Sequence, residues 1–417
     1  MKNFLLFLLV VLFSNILQAQ NQQSRNRLDE LKARIDSLIT FSNSGGVTQD
    51  NRTKSLSLAF DLTNKIKDDS TRIQLLSSLS YYSSSSQSKN LFKKINLETI
   101  KISNSLKDST ALGNAFWDLG YYYSRNSVKD SSYYSYSQAQ KIFEAQGNKF
   151  LSGRMLFNMA NQQLDVKDYI SSEANVIAAI ERLKPLDKNK ELYNCYNTLA
   201  IISQALKEYE QAIEYYDEAL KYLKKTDNPE EIIRENINNR GLVYRDMGEF
   251  KKARNHFLEN LEVDSLKSKN PKLYAKTLVN LASTKLKLND SIDVSEFISE
   301  SIDVNDSLQD MRGLASSYFT KAEYDLFLGD TLTAIDDGIK TIELANESSS
   351  NERLLETYTF LINIDSKSAP EYAQKYISLN DSLVQLERQA RNKFARIRFE
   401  TDEFIARMSS WKRRLLS

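Results

Sequence analysis

The chain has 417 residues, of which 41% are hydrophobic and 10% aromatic, and its 56 Lys and Arg residues nearly balance 55 Asp and Glu residues. This charge balance excludes the strongly basic surface that would point to nucleic acid or to an anionic membrane. The apolar and aromatic content excludes a disordered chain. The length exceeds what one compact core fills, so we expect either several domains or a stack of repeats.

Residues 1–20 have the pattern of a signal peptide. They begin with Lys2, continue through an apolar run from Phe4 to Phe13, and end with Gln18, Ala19 and Gln20. This pattern predicts a secretory leader that is removed on export. The alternative is a membrane anchor, but a span needs about 20 apolar residues and this run has roughly half that. We therefore expect a mature chain without a membrane span, in the periplasm or secreted.

Residues 21–70 are predicted to form a degenerate N-terminal helix pair. Apolar residues from Leu28 to Leu38 recur at helical steps, and Gly45 and Gly46 interrupt this first helix. A second helix is expected from about Thr53 to Ile66. An end repeat has a neighbour on one side only, which explains the weak pattern.

A spacing of 40 or 41 residues recurs through residues 71–380. Its clearest copy has the marks Tyr196, Leu199, Ala200, Ala212, Tyr216 and Ala219. The position of Ala200 holds a small residue in every copy: Gly120, Ala160, Gly241, Ala282 and Ala322. Only a small residue lets two helices approach to about 8–10 Å. The pattern therefore predicts pairs of closely packed antiparallel helices.

This arrangement of bulky, Leu and small residues resembles the tetratricopeptide repeat. The resemblance implies an all-α, TPR-like solenoid of about eight helix pairs. The units of this chain are longer than the family's usual unit. The chain has only 4 Pro and 11 Gly residues, which also favours helix nearly throughout.

Residues 381–417 are predicted to form a long C-terminal helix resembling a coiled coil. Apolar residues recur there at steps of three and four from Leu383 to Leu415. Such a stripe favours burial against a second copy of the chain. The residues predicted to pair two protomers are Leu386, Phe394, Ile397, Phe404, Met408 and Trp411. The alternative is a helix that folds back as a cap on the repeats.

The segment Asn392 to Glu403 looks like the connector of exported tetratricopeptide-repeat sensors in bacterial membrane-anchored signalling proteins. Those proteins continue into a membrane span and a histidine kinase or DNA-binding module. This sequence ends at Ser417 without either part. The resemblance therefore implies the sensory part of a signalling system in the cell envelope, and no output activity carries over.

No motif in the sequence indicates catalysis, a metal site or a cofactor. His256 and Cys195 are the only residues of their types, and no phosphate-binding Gly-rich loop occurs. A single cysteine also excludes an internal disulfide. We therefore predict a non-enzymatic binding protein. A structural assembly protein of the periplasm and an enzyme of unrecognised type stay open as alternatives.

In the resembling family, the first helices line a concave groove. Projecting this groove onto the chain predicts a peptide-binding site at Trp117, Tyr121, Arg154, Phe157, Asn161, Asn194, Asn197, Asn238 and Arg245. Asn side chains would donate to and accept from an extended peptide backbone, and aromatic side chains would anchor it. The alternative is a merely solvated face. The expected partner is a protein or peptide, with a homodimer through the C-terminal helix and no nucleic acid.

Overall fold

The structure is a computed structural model that describes the backbone of residues 2–85, 88–226, 229–263 and 265–416, and most side chains between residues 25 and 400. Within these ranges every regular element is helical, with nineteen α-helices and one short 3-10 turn at Lys184–Leu186. The chain divides into two compact units. Unit 1 comprises Met1–Gln162 and Phe394–Ser417, and unit 2 comprises Gln163–Lys393.

Unit 1 is built from consecutive helices that pack on their neighbours in the chain. They are α1 (Lys2–Ser42), α2 (Gln49–Thr63), α3 (Asp69–Ser85), α4 (Lys89–Leu106), α5 (Ser109–Arg125), α6 (Lys129–Ala145) and α7 (Lys149–Leu164), whose last two residues belong to unit 2. Helices α1 to α5 share one apolar core, in which Ile35, Leu56 and Leu76 are fully buried. The apolar steps predicted for the N-terminal pair therefore face this core.

Unit 2 continues the same arrangement. Its helices are α8 (Tyr169–Leu183), α9 (Asn189–Ala205), α10 (Tyr209–Leu223), α11 (Glu230–Asp246), α12 (Phe250–Leu261), α13 (Leu266–Lys269), α14 (Pro271–Lys287), α15 (Val294–Ser307), α16 (Met311–Phe327), α17 (Thr331–Glu347), α18 (Asn351–Ile364) and α19 (Ala369–Leu416). Each of α8 to α11 packs on the next, and α12 packs on α14 because α13 is only one turn long. The predicted all-α solenoid of helix pairs is confirmed.

The repeat spacing is visible in where the helices begin. The first helices of successive pairs start at Asp69, Ser109, Lys149, Asn189, Glu230, Pro271, Met311 and Asn351, which are 40 or 41 residues apart. The position of Ala200 is fully buried in every repeat with an Ala there: Ala160, Ala200, Ala282 and Ala322. In the other two repeats a Cβ on Gly120 would come within 2.5 Å of the Tyr136 ring, and one on Gly241 within 2.6 Å of Phe257. The predicted close contact between paired helices is therefore present.

One turn geometry joins most of the helices, and the sequence analysis did not find it. A residue with positive φ recurs at intervals near 20 in this series: Lys107, Ser127, Gly147, Lys167, Asp187 and Lys207. At Lys107 the next amide, that of Asp108, donates to the Ser103 carbonyl at 2.9 Å, closing a Schellman turn. The Asp108 side chain then caps α5 by accepting from the amide of Ala111. The turn is short, since only Lys107 and Asp108 lie between α4 and α5.

The C-terminal helix differs from the prediction in its start and in its contacts. Helix α19 begins at Ala369 and runs through residue 381 without a break. Phe394 was predicted to pair two protomers, but it is 1% exposed and stacks on Tyr133 of the same unit. This is a correction, because a side chain already buried in its own chain cannot also fill a seam. Glu387, also on α19, has a partner within the chain too, since its carboxylate forms an ion pair with Lys167 at 3.0 Å.

The remaining predicted pairing residues divide into two groups. Leu386 is exposed and Ile397 is half-buried. The side chains of Phe404, Met408 and Trp411 lie outside the described residues, so pairing through them stays a prediction. The leader at residues 1–20 also stays a prediction, because nearly all of its side chains lie outside the described residues. Among the described residues, no helix combines the length and apolarity needed to cross a membrane.

Candidate functional site: a cleft on the first helices

A cleft of about 560 Å³ opens on the first helices of unit 2. Four consecutive first helices, α11, α14, α16 and α18, supply most of its lining residues, so it lies on one face of the stack. We call it the first-helix cleft. Its charged residues are Arg245, Lys272, Lys276, Arg312, Arg353, Asp310, Glu352 and Glu356. Two of its other lining residues are Leu242 and Asn280.

Asparagine side chains of adjacent helices are linked at this cleft. The Asn280 amide donates to the Asn238 side-chain oxygen at 3.0 Å, and both residues are buried. The Asn238 Nδ2 atom and the Asn197 Oδ1 atom are buried without a hydrogen-bond partner in the described protein. Such a group costs about 1–3 kcal/mol when it is left unpaired. Both atoms lie behind the surface of the cleft, because neither Asn238 nor Asn197 is among its lining residues.

The cleft carries more basic than acidic groups. Lys272 is paired with Asp310 at 3.1 Å, and Arg353 with Glu356 at 2.7 Å. Among the described ion pairs neither Lys276 nor Arg312 has a carboxylate partner, and Arg245 has only Asp246 at 3.8 Å. The lining of the cleft therefore carries an excess of positive charge, which favours a ligand with carboxylates.

Burial changes the titration of two groups in the cleft. It lowers the pKa of Lys276, with Glu235 opposing and Arg245 adding to this effect. Although Lys276 still contacts water, the surrounding walls remove part of its hydration. Burial also raises the pKa of Glu356, against the opposing charge of Arg353. A carboxylate ligand beside Lys276 would oppose this lowering of its pKa.

The predicted peptide-binding residues divide between the two units. Asn194, Asn197, Asn238 and Arg245 belong to unit 2, and of these Arg245 lines the cleft while Asn238 bonds to a lining residue. Asn238 itself is fully buried and does not line the cleft. Asn194 and Asn197 are half-buried on α9.

Trp117, Tyr121, Arg154, Phe157 and Asn161 belong to unit 1. The Arg154 guanidinium carbon lies 4.7 Å from the Trp117 ring centroid, so these two predicted residues meet. Tyr121 is 47% exposed, whereas Phe157 and Asn161 are half-buried. The Arg154 guanidinium thus covers part of the Trp117 ring. Less of the ring is then available as an apolar anchor for a peptide.

Sequence reasoning missed the part of the cleft beyond α11. Glu235 lies three residues before the predicted Asn238 on the same helix, and the repeat frame continues from it at steps of 41, 40 and 40 to Lys276, Ser316 and Glu356. All three line the cleft. The signal was therefore present in the spacing, and extending the projection through α18 would have found these residues.

The two residues considered for catalysis have ordinary packing environments. Cys195 is fully buried, and burial raises its pKa to about 12. The His256 ring stacks on Tyr244 with centroids 5.1 Å apart, and burial lowers its pKa. Among the residues whose side chains are described, no group of three His, Cys, Asp or Glu could hold a metal ion.

Comparison with known proteins identifies the repeat and the fold. The sequence model of the tetratricopeptide repeat matches residues 194–226, which include most of α9 and all of α10. No curated relative matches the sequence. The fold is a helical solenoid of tetratricopeptide-repeat type, as the sequence predicted.

Several solved structures share this fold at low sequence identity. The apo form of the quorum sensor NprR from B. thuringiensis aligns with a TM-score of 0.62 and 14% identity, covering 85% of this chain and 99% of that chain. A Rap protein complexed with competence and sporulation factor gives 0.55 and 13%, covering 86% and 99%. The Rap conjugation gene regulator of plasmid pLS20, in complex with the Phr* peptide, gives 0.53 and 13%, covering 86% and 96%.

Proposed function

We propose that this tetratricopeptide-repeat chain is a non-catalytic receptor that binds an extended, acidic peptide in the first-helix cleft. The observation that carries the proposal is the cleft itself, in which side chains of four successive first helices converge. An extended peptide suits such a site because it can contact one helix after another along the stack.

The polar groups of the cleft favour a peptide over an apolar ligand. Asn280 and Ser316 line the cleft, and amide and hydroxyl groups can both donate to and accept from a peptide backbone. Lys276, Arg312 and Arg245 favour carboxylates on its side chains. Two structures of similar fold are described as complexes with a signalling factor or a peptide.

The proposed role is the sensory step of a signalling system, and the proposed place is the cell envelope. The support for the place is the leader-like pattern of residues 1–20. N-terminal sequencing of the protein from fractionated cells tests it. A mature start near Ala19 to Asn21 in the periplasm or medium would support the location, and intact Met1 in the cytoplasm would contradict it without affecting peptide binding.

Peptide binding is tested with two fluorescein-labelled decapeptide pools of random sequence, one enriched in Asp and Glu and the other in Lys and Arg. Fluorescence anisotropy should show that the acidic pool binds more tightly, and that raising the salt concentration weakens this binding. Lys276→Ala and Arg245→Ala should each weaken it about tenfold or more, corresponding to about 1.4 kcal/mol.

Lys221→Ala is the matched control, because Lys221 is an exposed lysine on the second helix α10. It should leave the affinity unchanged, and circular dichroism should show the same helicity in all variants. Binding of neither pool, or equal losses in Lys276→Ala and Lys221→Ala, would overturn the proposal.

A further inference from the structure

A second pocket lies in unit 1, between α3, α4 and α5. Its volume is about 270 Å³, which is enough for a group of the size of one amino-acid side chain. Three aromatic residues, Tyr81, Phe92 and Trp117, line it together with the carboxyl group of Asp118. This pocket is independent of the first-helix cleft, because that cleft belongs to unit 2.

A chain of hydrogen bonds holds the Asp118 carboxyl group in place. The Ser80 hydroxyl donates to Asp118 Oδ2 at 2.6 Å. The Asn96 amide donates to Ser80 Oγ at 2.9 Å and to the Phe92 carbonyl at 3.0 Å. The buried residues Ser80 and Asn96 therefore fix one carboxyl oxygen of Asp118, while the residue still lines the pocket.

Asp118 has no cationic partner among the described ion pairs, and the lining of the pocket contains no Lys or Arg. Burial raises the pKa of its carboxyl to about 6, and the Ser80 hydrogen bond opposes this only in part. The group is thus mainly ionised at neutral pH although it is partly buried. A partly buried carboxylate loses hydration, and a cation beside it would offset that loss.

The other lining groups decide which cation fits. Ser77, Ser84 and Asn114 place further side-chain oxygens in the lining, so a group with several N–H donors finds several acceptors. A metal ion would need more carboxylate ligands than the one present here. The aromatic residues favour a cation that carries an alkyl chain, since they can contact both its charge and its carbon atoms.

We propose that the pocket formed by Asp118, Asn114, Ser80, Tyr81, Phe92 and Trp117 binds an organic ammonium group. The group would belong either to a free alkylamine or to a peptide, as a lysine side chain or an amino terminus. The Asp118 carboxylate accepts from the ammonium group, and the aromatic side chains surround its carbon chain.

Fluorescence titration tests the proposal in the Trp411→Phe background, where Trp117 is the one remaining tryptophan of the chain's two. The probes are n-butylammonium chloride, the amide of Nα-acetyl-lysine, and alanyl-alanine amide. At least one of them should change the Trp117 emission in a saturable way, and the tightest probe identifies the source of the ammonium group. The neutral alcohol n-butanol should not saturate.

Asp118→Asn removes the charge with little change in shape and should raise the Kd of the bound probe about tenfold or more. Asp61→Asn is the matched control, because Asp61 is an exposed aspartate on α2 of the same unit. Circular dichroism establishes that both variants are folded. Saturation by n-butanol, no saturation by any ammonium probe, or equal affinity in the wild type and Asp118→Asn would overturn the proposal.

Discussion

The ring of Phe394 stacks on the ring of Tyr133, with centroids 4.5 Å apart and an interplanar angle of 19°. Both side chains are 1% exposed, so the contact is part of the core of unit 1. This relationship favours the folded-back arrangement of α19 at this position over pairing with a second copy. It also makes Phe394 a contributor to the stability of unit 1.

Phe394→Ala should therefore destabilise the protein by about 3–5 kcal/mol, since it removes a fully buried aromatic ring and leaves a cavity. Phe399→Ala is the control, because Phe399 is 64% exposed on the same helix. Thermal unfolding followed by circular dichroism measures the difference. Light scattering on the same samples measures the oligomeric state. If Phe394→Ala only converted a dimer into an equally stable monomer, this interpretation would be contradicted.

The small positions of the repeat should not tolerate larger side chains. Ala200 and Ala212 are fully buried in one apolar cluster with Tyr216. We expect Ala200→Leu and Ala212→Leu each to cost about 1–3 kcal/mol through overpacking. Ile201→Leu, at a partly exposed neighbouring position, should change the stability by less than about 0.5 kcal/mol. Urea unfolding compares the three, and equal losses would show that the helix faces are misassigned.

Asp118 should make stability depend on pH. Its pKa is about 6 in the folded protein and 3.8 in the unfolded chain, so the folded protein holds a proton that the unfolded chain has released between these values. Stability therefore falls as the pH rises from about 4 to about 6, and the full penalty is present above pH 6. Asp118→Asn removes that penalty.

We expect Asp118→Asn to stabilise the protein at pH 7.5 by up to about 3 kcal/mol, with the gain disappearing near pH 4. Denaturant unfolding at a series of pH values measures this. Asp61→Asn should change stability by less than about 0.5 kcal/mol. A stability difference between Asp118→Asn and wild type that stays constant from pH 4 to 7.5 would contradict the assignment.

Cys195 should be unreactive in the folded protein. The thiol is fully buried and its pKa is raised to about 12, so almost no thiolate is present at pH 8. Mass spectrometry should find no alkylation by iodoacetamide until urea unfolds the chain. Ser378→Cys, exposed on α19, should be alkylated in the folded state and serves as the positive control. Rapid labelling of Cys195 in the wild type would disprove its burial.

The repeat architecture was predictable because its determinants are local and recur. Ala200 and its equivalents must be small wherever two helices touch, and that requirement leaves a mark every 40 or 41 residues. Part of the first-helix cleft was predictable for the same reason, since Arg245 was projected from that frame and lines the cleft. The turns at Lys107 and Ser127 were not, because their positive φ is imposed by the Schellman geometry on residues with no glycine signature.

Other features depend on which surfaces meet in three dimensions. The apolar steps of the C-terminal helix predicted that Phe394 is buried, but such a pattern carries no information about the partner, and only the fold assigned Tyr133. Asp118 was an ordinary acidic residue in the sequence, and its burial among Ser80, Phe92 and Trp117 comes from three helices that lie up to 38 residues apart in the chain. Periodicity is a property of neighbouring residues and therefore determined the helix pairs, whereas the charge of a pocket is set by distant residues and was decided by the tertiary structure alone.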